Sequence, residues 1–234
     1  MTNSSAPGAW AIASVDDVPA DSVGPAVSAP VAARIAGLRR EADRRAHLAA
    51  RALAIACVSR VTGIAAHELR LQQHCEGCGA SDHGRPSVVG HPEVSVTWSH
   101  TDSTVAAAAD LFAVAVDVED RAHVARDLAP DILSAAELAW YRQQHDEAEA
   151  FLRLWCRKEC AVKLGLASLD TLPLVDFASD GRLAERWTGH HIDEVLGQHA
   201  VAVALSVRPL QRLDVGMPHG SAAFSDGART STSK

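Results

Sequence analysis

The sequence predicts a mixed α+β fold, because runs with helical periodicity alternate along its 234 residues with runs typical of β-strands. Apolar residues recur at helical spacing within 31–61 and again within 134–165. Two runs rich in β-branched residues, 94–100 and 105–119, favour sheet instead. Hydrophobic residues make up 47% of the chain, which is enough for a buried core in one large domain or two small ones.

The first elements follow an opening stretch, up to about residue 30, that contains four prolines and predicts irregular structure with one short strand at 9–15. Residues 31–61 predict one long or two short amphipathic helices, since arginine and glutamate separate the apolar positions. Residues 67–92 contain glycine, proline and cysteine without periodicity. They predict a long ordered loop with at most a short strand.

The middle of the chain predicts a strand at 94–100 and, at 105–119, two strands of a hairpin joined near Asp110. The two halves of the chain therefore have similar content, although no sequence repeat is visible.

Helical patterns return at 122–128, 134–145 and 147–165, and the third ends at a glycine. Ser134 followed by Glu137 predicts a capping box. A last strand is expected at 199–207. The small and polar residues from 209 onward predict a disordered tail.

Composition excludes several classes of protein. Asp plus Glu exceed Lys plus Arg by 29 to 22, and the net charge of −7 argues against a protein that binds nucleic acid. No apolar run is long enough to cross a bilayer and the first residues lack a signal pattern, so a cytoplasmic protein is expected. Five cysteines cannot all pair, and free thiols are expected.

A pair of carboxylates ends the second of the predicted hairpin strands. Asp117 and Glu119 are two residues apart, so the pleat points both side chains to one face while Val116 and Val118 point to the other. Neighbouring carboxylates repel each other, which is tolerated when a cation lies between them or when both face water. The pair is therefore either a cation site or an exposed strand end.

A second cluster lies on the helix at 147–165, where Trp155, Glu159 and Lys163 follow one another at intervals of four and share one stripe. Such a Glu–Lys pair also occurs on ordinary helix surfaces. Together with the strand pair, however, three carboxylates suit a hard divalent ion such as Mg²⁺, which prefers carboxylates, phosphate oxygens and water. Lys158 and Lys163 can neutralise further phosphate charge.

Four motifs occur in a fixed order: HGRP at 83–86, WSH at 98–100, DVE at 117–119 and WCRKECAVKLG at 155–165. In this order they resemble the signature of the 4'-phosphopantetheinyl transferase superfamily, and are most similar to its monomeric, Sfp-like type. The resemblance spans about 31–207. It implies two similar α+β subdomains with pseudo-two-fold symmetry, at 1–115 on the nucleotide side and 116–208 on the metal side, followed by the 209–234 tail.

The resemblance also implies roles for individual residues. Asp117, Glu119 and Glu159 would be the magnesium ligands, with Mn²⁺ as a substitute. The catalytic residues would be Glu159 as a base, Lys163 on the pyrophosphate and His100 on the phosphates of coenzyme A. The residues implied to contact coenzyme A are Arg40, Arg45, Gly84, Arg85, Pro86, Ser99, His100, Lys158 and Lys163. From the residues alone, a lone histidine at the position of His100 is more often a hydrogen-bonded structural residue than a phosphate donor.

Cations for the 3'-phosphate of the nucleotide are implied on the arginine-rich helix, and the sequence does not single out one of them. The candidates there are Arg39, Arg40, Arg44, Arg45 and Arg51. The sequence departs from the family pattern at Ala46, where an arginine is usual, and at Ala115, where a glycine is usual. Cys160, which follows the helix glutamate, is expected to pack without reacting.

The reaction that the resemblance implies is transfer of the 4'-phosphopantetheine arm from coenzyme A, the co-substrate, to a serine of an apo acyl or peptidyl carrier protein, with release of 3',5'-ADP. The carrier would belong to a fatty acid, polyketide or nonribosomal peptide synthase. Two alternatives stay open. One is a regulator that binds coenzyme A or a carrier without transfer, and the other is a zinc-binding module through Cys75 and Cys78.

Overall fold

A computed structural model describes residues 7–19, 27–122, 124 and 126–214. The predicted tail beyond residue 214 and part of the opening stretch, 20–26, lie outside the described residues. Among the helices described, none is long and apolar enough to span a bilayer.

Two four-stranded sheets, each covered by a helix, form the body of the protein. The first part of the chain contains β1 Ala9–Ser14, α1 Ala29–Ala36, α2 Glu41–Thr62, β2 Leu71–His74, β3 Arg85–Val88, β4 Ser95–His100 and β5 Thr104–Asp110. The rest contains β6 Val114–Asp120, α3 Ala129–Ile132, α4 Ala135–Tyr141, α5 Glu147–Lys163, β7 Ala178–Ser179, β8 Arg182–Leu183, β9 Arg186–Trp187, β10 His190–Leu196, β11 Ala200–Ser206 and β12 Gln211–Arg212.

The strand order is β12-β1-β5-β4 in the first sheet and β6-β11-β10-β9 in the second, while β2–β3 and β7–β8 are separate two-stranded ribbons. Apart from the parallel β1–β12 pair, the pairings of these strands are antiparallel. The mixed α+β class is thereby confirmed.

Each sheet packs one face on a helix and its opposite face on the other sheet. Apolar residues of α2 form a core with β1, β4 and β5, and those of α5 form a core with β11. Between the sheets lies a third cluster of mostly small residues, including Ala106, Ala108, Val116, Val118 and Ala202. Small side chains let the sheets approach closely, so residues at the ends of β4 and β6 can meet.

The predicted hairpin at 105–119 is wrong in its pairing. The chain does break near Asp110, but β5 and β6 belong to different sheets, which face each other. Along β5, Val105 and Ala107 pack on α2 while Ala106 and Ala108 pack on the second sheet. Because both faces are buried, the polarity of the residues does not reveal which strand is the partner.

Other predictions fare unevenly. Residues 31–61 form two helices, as one of the two alternatives predicted, and the short strand near 9–15 is confirmed as β1. The loop at 67–92 contains two paired strands rather than at most one. The disordered tail predicted from 209 onward begins too early, because Gln211 and Arg212 pair with β1. Strand β10, six residues of which pair with β11, was not predicted.

Helix ends follow the local signals in the sequence. The Ser134–Glu137 capping box is confirmed, with both reciprocal hydrogen bonds present. Asp146 caps α5 by accepting from the backbone N–H of Glu149, and the chain leaves that helix through Gly165 at φ +74°. Of the helix predicted at 122–128, residues 123 and 125 lie outside the described residues, and Arg126–Leu128 form a 3-10 turn that leads into α3.

Candidate active site

Asp117 lies at the centre of the candidate site. Its side chain on β6 is almost fully buried, with 3% of its surface exposed. One carboxylate oxygen, Oδ1, accepts hydrogen bonds from Ser99 Oγ at 2.9 Å and from Lys163 Nζ at 2.7 Å. The other, Oδ2, is buried with no hydrogen-bond partner among the described residues. An orphaned buried carboxylate oxygen is costly, so this atom points to a missing cationic or hydrogen-bonding partner.

Glu119 and Glu159 complete what we call the acidic cleft, which consists of Asp117, Glu119, Glu159 and Lys163. Trp155 Nε1 donates to Glu119 Oε1 at 2.9 Å, which ties the helix stripe to the strand pair. Burial first, and then the charge of Asp117, raise the pKa of both glutamates. The three carboxylates therefore repel one another within one cleft, as the residue spacing predicts.

Lys163 is the cation of the acidic cleft. Besides Asp117, its ammonium donates to the backbone oxygen of Val116 at 2.8 Å. Burial opposes the charged form, but the neighbouring groups, Asp117 foremost and then Cys160 and Glu159, together outweigh it, and the pKa of Lys163 is raised. Lys163 is therefore fully charged at neutral pH, and it reaches over the end of α5 toward the strand.

The donor set of the acidic cleft fits a hard divalent cation. Three carboxylates supply oxygen ligands, and Asp117 Oδ2 has no competing protein donor. The ligand atoms of the three residues do not, however, all lie within 4.8 Å of one another. Among the described residues the group that meets that distance is Cys75, Cys78 and His83. The carboxylates thus form an acidic cleft rather than a preformed cage, as their mutual repulsion requires.

On the other side of Ser99 from Asp117 lies a second space, which we call the cationic cavity. Its volume is about 240 Å³, and its lining is Arg34, His47, Arg51, Gln73, Asp82, His83, Trp98, Ser99 and His100. It lies between α2, the β2–β3 ribbon and β4. Ser99 therefore joins the two spaces, because it lines the cavity and donates to Asp117.

Arg51 is the buried cation of the cavity, with 4% of its surface exposed. Its guanidinium lies 5.1 Å from the ring centroid of Trp98 and donates to Gln73 Oε1 at 2.6 Å and to the backbone oxygen of His47 at 2.8 Å. Burial first, and then Arg34, lower its pKa to about 10, which leaves it charged at neutral pH. Within the described part of the chain its charge meets no carboxylate, so the cavity favours an anion.

Two histidines line the same wall. The rings of His47 and His100 lie 4.3 Å apart, edge to face. Burial first, and then His100, lower the pKa of His47 to about 4, and burial followed by Arg51 lowers the pKa of His100. Both rings are neutral at neutral pH, so each can donate one N–H and accept at its other nitrogen.

The structure corrects the expectation that Arg40 and Arg45 contact the nucleotide. Arg40 pairs with Asp102 and Arg45 with Asp16, both at the exposed surface and outside the cavity lining. Ala46, where the family pattern has an arginine, is buried in the core under the first sheet. Within the arginine-rich helix it is Arg51, three turns into α2, that faces the cavity.

Only the first two residues of the HGRP motif help to shape the cationic cavity, His83 in its lining and Gly84 in the turn before β3. His83 lines the cavity, whereas Arg85 and Pro86 are absent from its lining. Gly84 adopts φ +91°, and a Cβ there would lie 2.3 Å from the backbone oxygen of His74, so the turn into β3 requires glycine. Arg34 and Gln73, which sequence reasoning missed, come from α1 and β2. No local pattern marks them, because only the tertiary fold brings them to the cavity.

The structure does not place Lys158 where the expected contact with phosphate could form. Its side chain is fully buried and pairs with the fully buried Glu137 at 2.8 Å. The same ammonium donates to the backbone oxygens of Leu172 and Val175. Lys163 lies five positions after Lys158, which places the two lysines on opposite sides of α5. Lys158 therefore holds the polypeptide after α5 to α4 and takes no part in the acidic cleft.

Cys160 lies next to Glu159 on α5 without reaching the acidic cleft. It is fully buried, and its thiol donates to the backbone oxygen of Val203 at 3.4 Å. Burial raises its pKa well above the usual thiol value. The expectation of an inert packing role agrees with this environment.

Residues 113–204 match the family model described as the 4'-phosphopantetheinyl transferase superfamily, over less than half of the chain. The matched segment begins just before β6 and ends within β11, so it contains the whole acidic cleft and none of the lining of the cationic cavity. No curated protein matches the chain.

Proposed function

We propose that this chain, an enzyme whose second half is a domain of the 4'-phosphopantetheinyl transferase superfamily, moves the phosphopantetheine arm of coenzyme A onto a serine of a carrier protein. The observation that supports this reaction most directly is the position of Asp117. Its carboxylate belongs to the acidic cleft and accepts a hydrogen bond from Ser99, which lines the cationic cavity, while its other oxygen has no partner among the described residues. A diphosphate that bridges a metal ion and a set of protein cations needs this arrangement of charge.

The cationic cavity is the proposed site of the nucleotide end of coenzyme A. Arg51 is buried, charged and free of carboxylate contacts among the described residues, which makes it the best candidate for the 3'-phosphate. Arg34 lies on the same cavity but also pairs with Asp82 at 3.3 Å. His100, which closes the cavity beside Ser99, would donate to the diphosphate nearer the acidic cleft.

The acidic cleft is the proposed site of the divalent ion. Asp117, Glu119 and Glu159 would hold Mg²⁺, or Mn²⁺ in its place. When bound, the ion would neutralise charge on the diphosphate oxygens and so ease both attack and departure. Trp155 orients Glu119 for that role by its indole hydrogen bond.

The reaction itself is displacement at the β-phosphorus of coenzyme A. The serine oxygen forms the new P–O bond, the bond from that phosphorus to the bridging oxygen breaks, and 3',5'-ADP leaves with the electron pair. Lys163 donates to the phosphate oxygens as charge develops on them. Glu159 takes the serine proton directly or through a water. A general base of this kind contributes about 10²- to 10⁴-fold.

We further propose that the chain is of the two-subdomain, Sfp-like type and acts as a monomer, because one chain supplies both the acidic cleft and the cationic cavity. The subdomains would be the two sheets with their helices. The chain passes from the first sheet to the second between Asp110 and Val114, a few residues before the boundary that the sequence suggested. The acceptor would be a carrier domain of a fatty acid, polyketide or nonribosomal peptide synthase.

The reaction is tested by incubating the chain with coenzyme A, Mg²⁺ and an apo carrier protein of each of these three kinds, and by measuring the added arm with mass spectrometry. We expect transfer to at least one carrier and a loss of about 100-fold or more in Asp117→Asn. Asp120→Asn, on the same strand, is the matched control and should keep its rate. Absence of transfer to every carrier, or full activity of Asp117→Asn, would contradict the proposal. Binding of coenzyme A without transfer would favour the regulator.

The nucleotide site has its own test. Arg51→Gln should weaken binding of coenzyme A by about 10- to 100-fold, the worth of a hydrogen-bonded ion pair with the 3'-phosphate. Binding of dephospho-coenzyme A, which lacks that phosphate, should not change. Arg45→Gln is the control on the same helix, because Arg45 faces Asp16 at the surface. Equal losses of affinity for coenzyme A and for dephospho-coenzyme A would show that Arg51 does not bind the 3'-phosphate.

A further inference from the structure

The loop that joins β2 to β3 brings two cysteines and a histidine together at the edge of the cationic cavity. The ligand atoms of Cys75, Cys78 and His83 all lie within 4.8 Å of one another, and Cys78 Sγ is 3.3 Å from His83 Nε2. None of the three contributes to the acidic cleft. All five cysteines of the chain are free thiols, so Cys75 and Cys78 do not form a disulfide.

The loop that holds Cys75 and Cys78 is a closed backbone turn. The turn is closed by two main-chain hydrogen bonds, from Gly79 N to the oxygen of Cys75 at 2.8 Å and from Cys75 N to the oxygen of Ala80 at 2.9 Å. Gly79 permits this closure because it adopts φ +72°. The closed turn fixes the spacing of Cys75 and Cys78, whose thiolates are the form that binds a metal.

The histidine is held by a carboxylate on its far side. His83 Nδ1 lies 2.7 Å from Asp82 Oδ1, so Nδ1–H donates to Asp82 and the lone pair of Nε2 faces the two sulfurs. A carboxylate behind a histidine in this way is the usual support of a metal-ligating imidazole. Asp82 in turn accepts from Arg34 at 3.3 Å, which connects the cluster to the cavity wall.

We propose that Cys75, Cys78 and His83 bind one Zn²⁺ ion. Two thiolates and one imidazole are soft to borderline ligands, which suit zinc and do not suit the magnesium proposed for the acidic cleft. Each thiol releases its proton to solvent on binding, and water takes the fourth position of a tetrahedral ion. The cluster lies partly exposed at the surface, so solvent reaches that position.

The ion would fix the wall of the cationic cavity. Residues 75–84 form no regular structure between β2 and β3, yet His83 and Asp82 line the cavity and Asp82 holds Arg34. Zinc would thus set the positions of groups around the nucleotide without taking part in transfer. The presence of the ion does not depend on the proposed transfer reaction.

The test is the zinc content of the full chain, purified without a histidine tag under reducing conditions and measured by inductively coupled plasma mass spectrometry. We expect one zinc per chain. Cys75→Ser, Cys78→Ser and His83→Ala should each weaken zinc binding by about 100-fold or more, measured by competition with a chromogenic chelator. His74→Ala is the matched control, because His74 is exposed beside Cys75 and outside the cluster.

Cobalt substitution gives a second, structural readout. Co²⁺ in place of zinc should show thiolate-to-metal charge-transfer absorption that Cys75→Ser and Cys78→Ser each weaken. Substoichiometric zinc without this absorption, or an equal loss in His74→Ala and His83→Ala, would overturn the proposal. So would a Cys75–Cys78 disulfide found by peptide mapping of the same preparation. These readouts are independent of carrier modification, so failure of the zinc site and failure of the transfer reaction can be told apart.

Discussion

Replacing Glu159 by glutamine removes one of three carboxylates that repel one another in the acidic cleft, and we expect the metal-free protein to become more stable. Burial and the charge of Asp117 raise the pKa of Glu159 in the folded state, despite the opposing charge of Lys163. A raised pKa means that the folded state disfavours the ionised carboxylate. Glutamine has nearly the same shape and carries no charge, so it escapes that penalty.

The sign of the pH dependence follows from the same shift. Below the unfolded pKa of about 4.3 the carboxyl is protonated in both states, and no penalty exists. As the pH rises through the raised folded pKa, the free energy of unfolding of the wild type falls, because the folded state binds more protons in that window. The advantage of Glu159→Gln should therefore be absent near pH 4 and complete above the raised pKa.

The size of the gain should resemble that of other relieved surface or cleft charges, about 0.5–2 kcal/mol. For a chain of this length about 1 kcal/mol corresponds to 2–4 °C in Tm. Mg²⁺ should stabilise the wild type more than the variant. At 100 times its Kd it should stabilise the wild type by about 2.7 kcal/mol, whereas Glu159→Gln, which lacks one of the proposed ligands, should respond much less.

Thermal unfolding with and without Mg²⁺ measures both effects. Glu147→Gln is the matched control, since Glu147 lies in the first turn of the same helix and pairs only loosely with Arg126 at 3.4 Å. Loss of that charge should lower stability by about 0.3–1 kcal/mol, because an acid at a helix start is favourable. A destabilised Glu159→Gln at pH 7 would refute the repulsion, and a variant that gains as much stability from Mg²⁺ as the wild type would refute the ligand role of Glu159.

Three further substitutions test other contacts. Lys158→Met should lower the free energy of unfolding in urea by about 3–5 kcal/mol, because Glu137 is left buried without its partner, and Lys158→Met with Glu137→Gln should recover most of that loss. Trp155→Phe keeps the stacking on Phe151 but loses the donor to Glu119, so the apparent Kd for Mg²⁺, measured from the metal dependence of transfer, should rise by about 10- to 100-fold. Gly84→Ala should destabilise the chain in urea by about 1–3 kcal/mol more than Gly90→Ala, since both have positive φ but only the first would place a Cβ against backbone.

The acidic cleft could be predicted from sequence because each part of it is local. The two-residue repeat of a strand puts Asp117 and Glu119 on one face, and the four-residue interval of a helix aligns Trp155, Glu159 and Lys163. The structure brings both sets together, through the Trp155–Glu119 and Lys163–Asp117 contacts. The same helical geometry excludes Lys158 from that stripe.

The cationic cavity could not be predicted in the same way. Its walls come from α1, α2, β2, β4 and the loop before β3, and no periodicity connects these segments. The predicted arginine-rich helix contains five arginines, of which Arg39 and Arg40 precede α2 in the structure. Which of them is buried over Trp98 depends on how α2 rotates on the first sheet, and that depends on the packing of its alanines. The misassigned pairing of β5 has the same origin, since strands buried on both faces carry no polar pattern to identify their neighbours.

The division of the site between the two sheets explains why a match restricted to residues 113–204 still indicates the chemistry. The proposed metal ligands, and the lysine proposed to stabilise developing charge, must keep fixed relative positions, and here they come from one strand and one helix of a single sheet layer. Binding of a nucleotide tolerates more variation, because a cation can reach a phosphate from several backbone positions. The hydrogen bond from Ser99 to Asp117 then connects the cationic cavity to the acidic cleft. A shift of the first sheet would move both the cavity and one donor to the central carboxylate, so substrate binding and metal affinity should change together in variants of that contact.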